Sequence, residues 1–592
     1  MGPTRLFDCI ELHLKDAPSR TMLAGKEHGE WKEYSTVDVG EIVNKLSSGL
    51  LYSGIGPGDL SVEGRDKVAV ISKNRPEWVM LDLAVQRVGA VLVPVYPTIS
   101  DYELEFILKD ANVKFLFVND AALYAKANAI RKDVPSLKEI VSFEKIEGVK
   151  HWEELLLPLT ENILGEIKLI SDRITKDDLV TIIYTSGTTG TPKGVMLSHN
   201  NILSNVLDSI PCFPPGENMK ALSFLPLNHI FERMISFLYL FKGTSIFFAE
   251  SIEAIPQNLK EVSPNIFATV PRLLEKVFEK IMEKGSELKG IKRSLFFWAY
   301  RLGMKFNVNE NQGFFYNLQL KLANKLIFNK WREALGNNIV CIVSGGAACQ
   351  VRLLKIFTAA QLPIMEGYGL TETSPVISVN RFDEKGRMFG TVGPLLDNVE
   401  VKFAEDGEIL CKGPNVMMGY YKHPEWTAEC IEDGWFKTGD IGVMIGEFLK
   451  ITDRKKEIFK TSGGKYVAPL AIENKLKESK FIENIMVVGA GEKFVGALIV
   501  PSFANLKTWC EEQNLDCNDI GKLLKEQKVL DLFEKEIRKY DKFFNHVEQV
   551  KKFVLLPRDW SVDNGELTPK LSLRRKIITE KNKEAIRNIY LS

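Results

Sequence analysis

Small hydroxylated residues, glycines and one lysine are concentrated in Tyr184-Thr185-Ser186-Gly187-Thr188-Thr189-Gly190-Thr191-Pro192-Lys193-Gly194. Glycines let backbone N–H groups turn inward onto a ligand, Thr185, Ser186, Thr188 and Thr189 add hydroxyl donors, and Lys193 adds a cation. That donor set suits a phosphate. It is not a Walker A loop, which needs Lys then Ser or Thr after its second glycine, whereas Gly190 is followed by Thr191-Pro192-Lys193. A second concentration is Glu366-Gly367-Tyr368-Gly369-Leu370-Thr371-Glu372. Tyr368 between two glycines suits stacking on a purine face. Thr371 can touch a phosphate, and Glu372 can hold Mg²⁺ while water and phosphate oxygens complete an octahedron. A third piece, Ser344-Gly345-Gly346-Ala347, closes an apolar strand with a glycine pair that lets a flat ligand approach the backbone.

The elements that must position these residues alternate. The β-branched run Asp178 to Tyr184 reads as a buried strand opening into the phosphate loop. Apolar residues at helical spacing (Val39, Ile42, Val43, Leu46, Leu50) end at Gly54-Ile55-Gly56-Pro57-Gly58. Strands are expected at Lys67 to Ser72, Ala90 to Val95 and Lys114 to Val118, with a helix from Glu77 to Val88 between the first two. Such crossovers imply helix-covered parallel sheets. A helix begins near Met196 to Asn201 with Ser198 or Asn200 as its cap, and another follows Leu225-Pro226-Leu227-Asn228 with His229 at its mouth. Gly367-Tyr368-Gly369 and Gly439-Asp440 read as turns. Residues 271–335 read as helical. Within them Lys292 to Arg301, basic at its edges and aromatic inside, fits a helix packed on its own domain, on a dimer mate or on a membrane surface.

At 592 residues the chain exceeds one core and calls for at least two domains. A 45% hydrophobic fraction with 26% charge argues against extensive disorder. Lys plus Arg equals Asp plus Glu at 77 each, so nothing favours a nucleic-acid partner. The eight cysteines form no CxxC pair and read as reduced thiols of a cytoplasmic protein. No signal peptide is expected between Met1 and Lys15. The longest apolar stretch, Met234 to Ala249, is broken by Lys242-Gly243 and is too short to span a bilayer, so a soluble or peripheral protein is expected.

The Tyr-Thr-Ser-Gly-Thr-Thr-Gly-x-Pro-Lys-Gly wording resembles the signature of the AMP-forming acid ligases, the superfamily of acyl-CoA synthetases, luciferases and peptide-synthetase adenylation domains. Matches continue in the family's order from about residue 35 to 576, and Phe231-Glu232-Arg233 with the helical insert resembles its long-chain fatty acid branch. The resemblance implies an α/β fold: a large N-terminal domain, residues 1–454, of mostly parallel sheets with a small β-barrel-like subdomain, and a mobile α+β C-terminal domain, residues 455–592, hinged at Lys456. It implies that His229 lies beside the substrate carboxylate, that Gly345, Gly346 and Ala347 line the adenine pocket with the Glu366 to Gly369 motif, and that Asp440 holds the ribose hydroxyls. By the same resemblance Arg454 contacts the nucleotide, Gly463-Gly464 flank the CoA channel, and Lys570 bridges carboxylate and α-phosphate. The lysine's spacing departs from the family's, since Arg574 and Arg575 follow it by four and five residues.

The implied reaction joins a long-chain fatty acid to CoA through an acyl-adenylate, with ATP, CoA and Mg²⁺ required. Three rival readings stay open: a ligase for aryl, bile or medium-chain acids, an enzyme loading a carrier-protein thiol, and a nucleotide-binding scaffold without turnover.

Overall fold

The computed structural model describes residues 2–186, 192–216, 218–517, 519–562, 564–568 and 573–591, with Ser186 described by its backbone alone. Two sheets dominate the large N-terminal part. The first runs in the order Gly419–Tyr420, Pro192–Ser198, Leu179–Ser186, Val91–Val95, Lys67–Ile71, Val113–Val118, Glu139–Ser142, and is parallel except for Pro192–Ser198, which is antiparallel to both of its neighbours. The second runs Val376–Val379, Ile364–Gly369, Cys341–Ser344, Ile266–Thr269, Lys220–Ser223, Ser245–Phe248, Thr21–Glu27, Glu30–Ser35, and is antiparallel only at its two ends. Their central strands, such as Lys67–Ile71 with its apolar run Val68 to Ile71, and Val91–Val95, are buried at every position, as parallel strands covered on both faces must be.

Helices fill the space between. Pro76–Arg87 is buried from Pro76 through Gln86 and Ile230–Lys242 at nearly every residue, so both lie inside the molecule. Their ends are set by local chemistry. Ser198 caps His199–Ser209, its hydroxyl accepting from the Asn201 N–H at 3.1 Å, which settles the choice against Asn200. The subdomain expected as barrel-like is a five-stranded antiparallel sheet: Glu400–Phe403, Glu408–Lys412, Trp435–Ile445 and Ile431–Glu432, with Phe448–Arg454 also on Trp435–Ile445. The small C-terminal domain has its own cores around the strands Ile482–Val488, Val495–Pro501 and Val550–Leu555.

Two local expectations are corrected. The strand leading to the phosphate segment reaches Ser186 and pairs antiparallel with Pro192–Ser198, with Thr185 opposite Lys193, while the loop expected between them, residues 187–191, lies outside the described residues. Gly367-Tyr368-Gly369 is the end of the strand Ile364–Gly369, because pairing with Val376–Val379 satisfies its backbone. Asp440 likewise sits within the strand Trp435–Ile445, opposite Arg454, and Gly439 before it takes φ +74°, a left-handed kink inside the strand. The segment 292–301 belongs to the helix Gly290–Met304, which buries Phe296, Ala299, Leu302 and Gly303 against its own domain.

One ion pair joins these layers. The Arg233 guanidinium, 1% exposed, donates to both Asp82 oxygens at 2.8 and 2.6 Å and to the Thr181 hydroxyl at 2.6 Å. Thr181 in turn donates to the Leu92 carbonyl at 2.7 Å. Removing one partner strands a buried charge, so Asp82→Ala is expected to lower unfolding free energy in urea by about 3–5 kcal/mol. A loss below about 1 kcal/mol would show that water reaches the pair.

Candidate active site

A cavity of about 1660 Å³ lies between the two sheets' loops and the small domain. Thr185, His229, Gly345, Gly346, Ala347, Glu366, Gly367, Tyr368, Gly369, Thr371, Glu372, Asp440, Arg454 and Lys456 all line it. Gly187, Thr188, Thr189, Gly190, Lys570 and the side chain of Ser186 lie outside the described residues. Thr568 and Leu573, on either side of residues 569–572, both line the cavity.

Each wall follows from an element already described. His229 is the N-cap of Ile230–Lys242, its Nδ1 accepting from the Phe231 N–H at 3.1 Å, which turns the ring toward the cavity. Phe231 lies flat enough against Gly345 that a Cβ there would stand 3.2 Å from the ring. The glycine therefore leaves the Phe231 ring room that a side chain would crowd. Glu366, 3% exposed, accepts the Cys349 N–H at 2.7 Å, and burial pushes its carboxyl up to about 8. At neutral pH it is a neutral acid with a proton to donate.

Tyr368 donates to Asp440 Oδ2 at 2.7 Å. Burial raises the Asp440 carboxyl, opposed by Arg454, whose Nε stands 3.6 Å from Oδ1. The guanidinium is half exposed, with a side-chain exposure of 54%, so it faces the open cavity while its register opposite Asp440 fixes its base.

Lys193 does not line the cavity. Its ammonium sits over the rings of Tyr420, at 5.0 Å, and Trp426, at 4.6 Å, and the Tyr420 hydroxyl donates to Glu372 Oε1 at 3.0 Å. Sequence reasoning missed this aromatic pair; its only local signal is the aromatic density of Gly419-Tyr420-Tyr421 to Trp426. Gly463 and Gly464 are also absent from the lining, lying in the connection between the short strands Phe459–Lys460 and Tyr466–Val467. In their place the small domain presents Arg574, Arg575 and Lys576. Burial opposes the Arg575 charge, but Glu473 at 2.6 Å and Glu457 at 2.9 Å hold its pKa above the usual arginine value. The cavity therefore combines a neutral acid, a carboxylate-bearing strand, the Thr185 hydroxyl and several cations around a partly apolar floor, an arrangement suited to a bound nucleotide and an acidic co-substrate.

The chain belongs to the AMP-binding enzyme family: its model matches residues 10–421, and the AMP-binding enzyme C-terminal domain matches residues 456–592. Among relatives, long-chain-fatty-acid–CoA ligase FadD15 of Mycobacterium bovis is 30% identical over 585 residues, covering 98% of this chain and 96% of its own. Long-chain-fatty-acid–CoA ligase 5 of Rattus norvegicus is 31% identical over 599 residues, covering 96% and 85%. The same fold occurs in the crystal structure of the anthranilate CoA ligase AuaEII in complex with anthranoyl-AMP, at a TM-score of 0.71 and 17% identity, covering 98% of both chains.

Glu366 carries a pH signature. Between pH 4.5 and about 8 the folded chain keeps a proton that the unfolded chain has lost, so stability falls as pH rises through that window. Glu366→Gln cannot ionise and is expected to raise Tm relative to the native chain more at about pH 9 than at about pH 5. An equal difference at both values would mean that the carboxyl is solvated.

Proposed function

We propose that this chain ligates a long-chain fatty acid to coenzyme A in two steps. A carboxylate oxygen attacks the α-phosphorus of ATP, forming the acyl-adenylate as the bond to pyrophosphate breaks. The CoA thiolate then attacks the acyl carbon, the thioester forms, and AMP departs with the bonding pair. The observation that carries this reading is the convergence of Thr185, the segment Glu366 to Glu372 and the Asp440–Arg454 pair on one cavity. The names of relatives similar over nearly the whole chain support the acyl and CoA halves.

In this reading Thr185, Ser186, Gly187, Thr188, Thr189 and Gly190 hold the phosphates with Lys193, whose aromatic platform keeps it near Glu372. Tyr368 stacks on the adenine, the Gly345-Gly346-Ala347 segment lets it approach, and the neutral Glu366 offers a proton to a ring nitrogen. Asp440 exchanges its bond from Tyr368 for bonds from the ribose, and Arg454 and Thr371 meet the phosphate. His229 sits beside the fatty carboxylate. Glu372 fits Mg²⁺: no cluster of three His, Cys, Asp or Glu stands among the described residues, and Mg²⁺ is commonly held by one carboxylate with substrate phosphates. When bound it would screen the phosphate charge.

Lys570 neutralises charge developing between the carboxylate and phosphorus. Thr568 and Leu573 at the cavity, with Gly463-Gly464 away from it, match an arrangement made for adenylation. A turn about Lys456, between units 1–454 and 455–592, would withdraw Lys570 and bring Gly463-Gly464 to CoA. The eight free cysteines fit a reducing, cytoplasmic setting.

The test is pyrophosphate release from Mg-ATP with saturated acids of increasing length, with and without CoA, and acyl-CoA detected by mass. Turnover that requires CoA and peaks at long chains is expected. Pyrophosphate without acyl-CoA would point to another thiol acceptor, and a short-chain or aryl optimum would overturn the substrate class. Lys570→Ala is expected to slow adenylation by roughly 10²–10³-fold while thiolysis of supplied acyl-adenylate stays nearly unchanged. Equal loss in both half-reactions would refute the domain turn.

A further inference from the structure

The helix Phe314–Ala323 and the π-helical turn Asn324–Phe328 that continues it expose an apolar stripe. Phe314 is 76% exposed and Phe315 78%, their rings are in edge contact at 5.8 Å, and Leu318, Leu322 and Leu326 continue the line at 56, 48 and 45%. Spacings of four place Phe314 and these leucines on one face, about 18 Å from Phe314 to Leu326 at 1.5 Å per residue. The opposite face is anchored: Ala323, Asn324 and Phe328 are buried, and the Tyr316 hydroxyl donates to the Leu302 carbonyl at 3.0 Å. The stripe is therefore presented outward by a helix held firmly from behind.

Charge identifies what it faces. The chain as a whole is neutral, yet residues 288–329 hold Lys289, Lys292, Arg293, Arg301, Lys305, Lys321 and Lys325 against the single carboxylate Glu310, and Lys330 beyond them pairs with Glu333. Lys321 and Lys325, one turn apart along the edge of the stripe, are exposed and enter no ion pair among the described residues. Exposed Ile291 and the exposed Lys292 and Arg293 begin the neighbouring helix Gly290–Met304. An apolar line bordered by cations has the pattern of a helix lying in the plane of an anionic bilayer. No described helix is long and apolar enough to cross one, so the contact is one of lying on the surface.

We propose that the face Phe314–Leu326, with Lys321 and Lys325, docks on the surface of a membrane containing anionic lipid. Aromatic and leucine side chains enter the headgroup boundary, and the lysines bind lipid phosphates. The inference stands on this face alone and does not depend on the fatty acid reading.

The test is flotation of the full-length chain with vesicles of phosphatidylcholine, with and without phosphatidylglycerol, read beside light-scattering mass in solution. The native chain is expected to float with the anionic vesicles. Phe314→Ser with Phe315→Ser and Leu318→Ser should abolish flotation at unchanged Tm, and Lys321→Gln with Lys325→Gln should weaken it on the order of tenfold or more. Flotation of the variants equal to that of the native chain, or no flotation of the native chain, would overturn the proposal. So would a native dimer that the serine variants dissociate, because the face would then bind a second copy.

Discussion

The cavity depends on a charge that never meets it. Glu232 and Arg233 are neighbours on the helix Ile230–Lys242 and reach opposite ways. The Ser223 hydroxyl, in the second sheet, donates to Glu232 Oε1 at 2.6 Å, whereas Arg233 grips Asp82 and Thr181 on the side of the first sheet. The helix is thereby fixed in height and rotation between two sheets that share no strand. His229 and Phe231, the residues it offers to the cavity, inherit that placement. A guanidinium suits the task because its planar fork meets a carboxylate in two parallel bonds and keeps a donor for Thr181. Glu232 answers differently: burial pushes its carboxyl up to about 8, so it is a neutral hydroxyl-bearing group rather than a second buried charge.

The same economy of charge governs the cavity wall. Glu366 and Asp440 are both raised by burial, and Tyr368 is held far above its ordinary range by burial and by the Asp440 it touches. Charge is kept at half-exposed Arg454, which lines the cavity, while Lys193 lies outside the lining above two aromatic faces. A low-dielectric floor beside such a cation strengthens its contact to an anionic ligand.

Much of this was legible in the sequence because it was written in local patterns. Continuous runs such as Val68-Ala69-Val70-Ile71 announce buried parallel strands, and Ser198 before an apolar period announces a helix start. The candidate residues could be named because glycine-framed hydroxyls and carboxylates are rare ornaments for structural loops. Conformation at those glycines was misread. Gly367, Gly369 and Gly439 looked like turn formers, yet pairing across the sheet holds them in strands, Gly367 opposite Val379 and Gly369 opposite Val376, and a glycine-rich run does not announce such a partner. The Tyr420–Trp426 platform under Lys193 and the Arg233–Asp82 pair were invisible for the same reason, since each joins residues far apart in the chain.

The contacts between the small domain and the rest have a character of their own. Arg272 pairs with Glu483, the Arg352 guanidinium donates to the Glu478 carbonyl at 2.9 Å, and the Leu470 N–H donates to Asp453 Oδ2 at 3.3 Å. Those links are polar, whereas the small domain's cohesion is apolar, built on its own cores, and its Arg575–Glu457–Glu473 cluster is internal to it. Polar contacts exchange for water at little net cost, while apolar cores do not. The apolar cohesion of the small domain thus lies within it, and these polar contacts lie across the seam at the cavity.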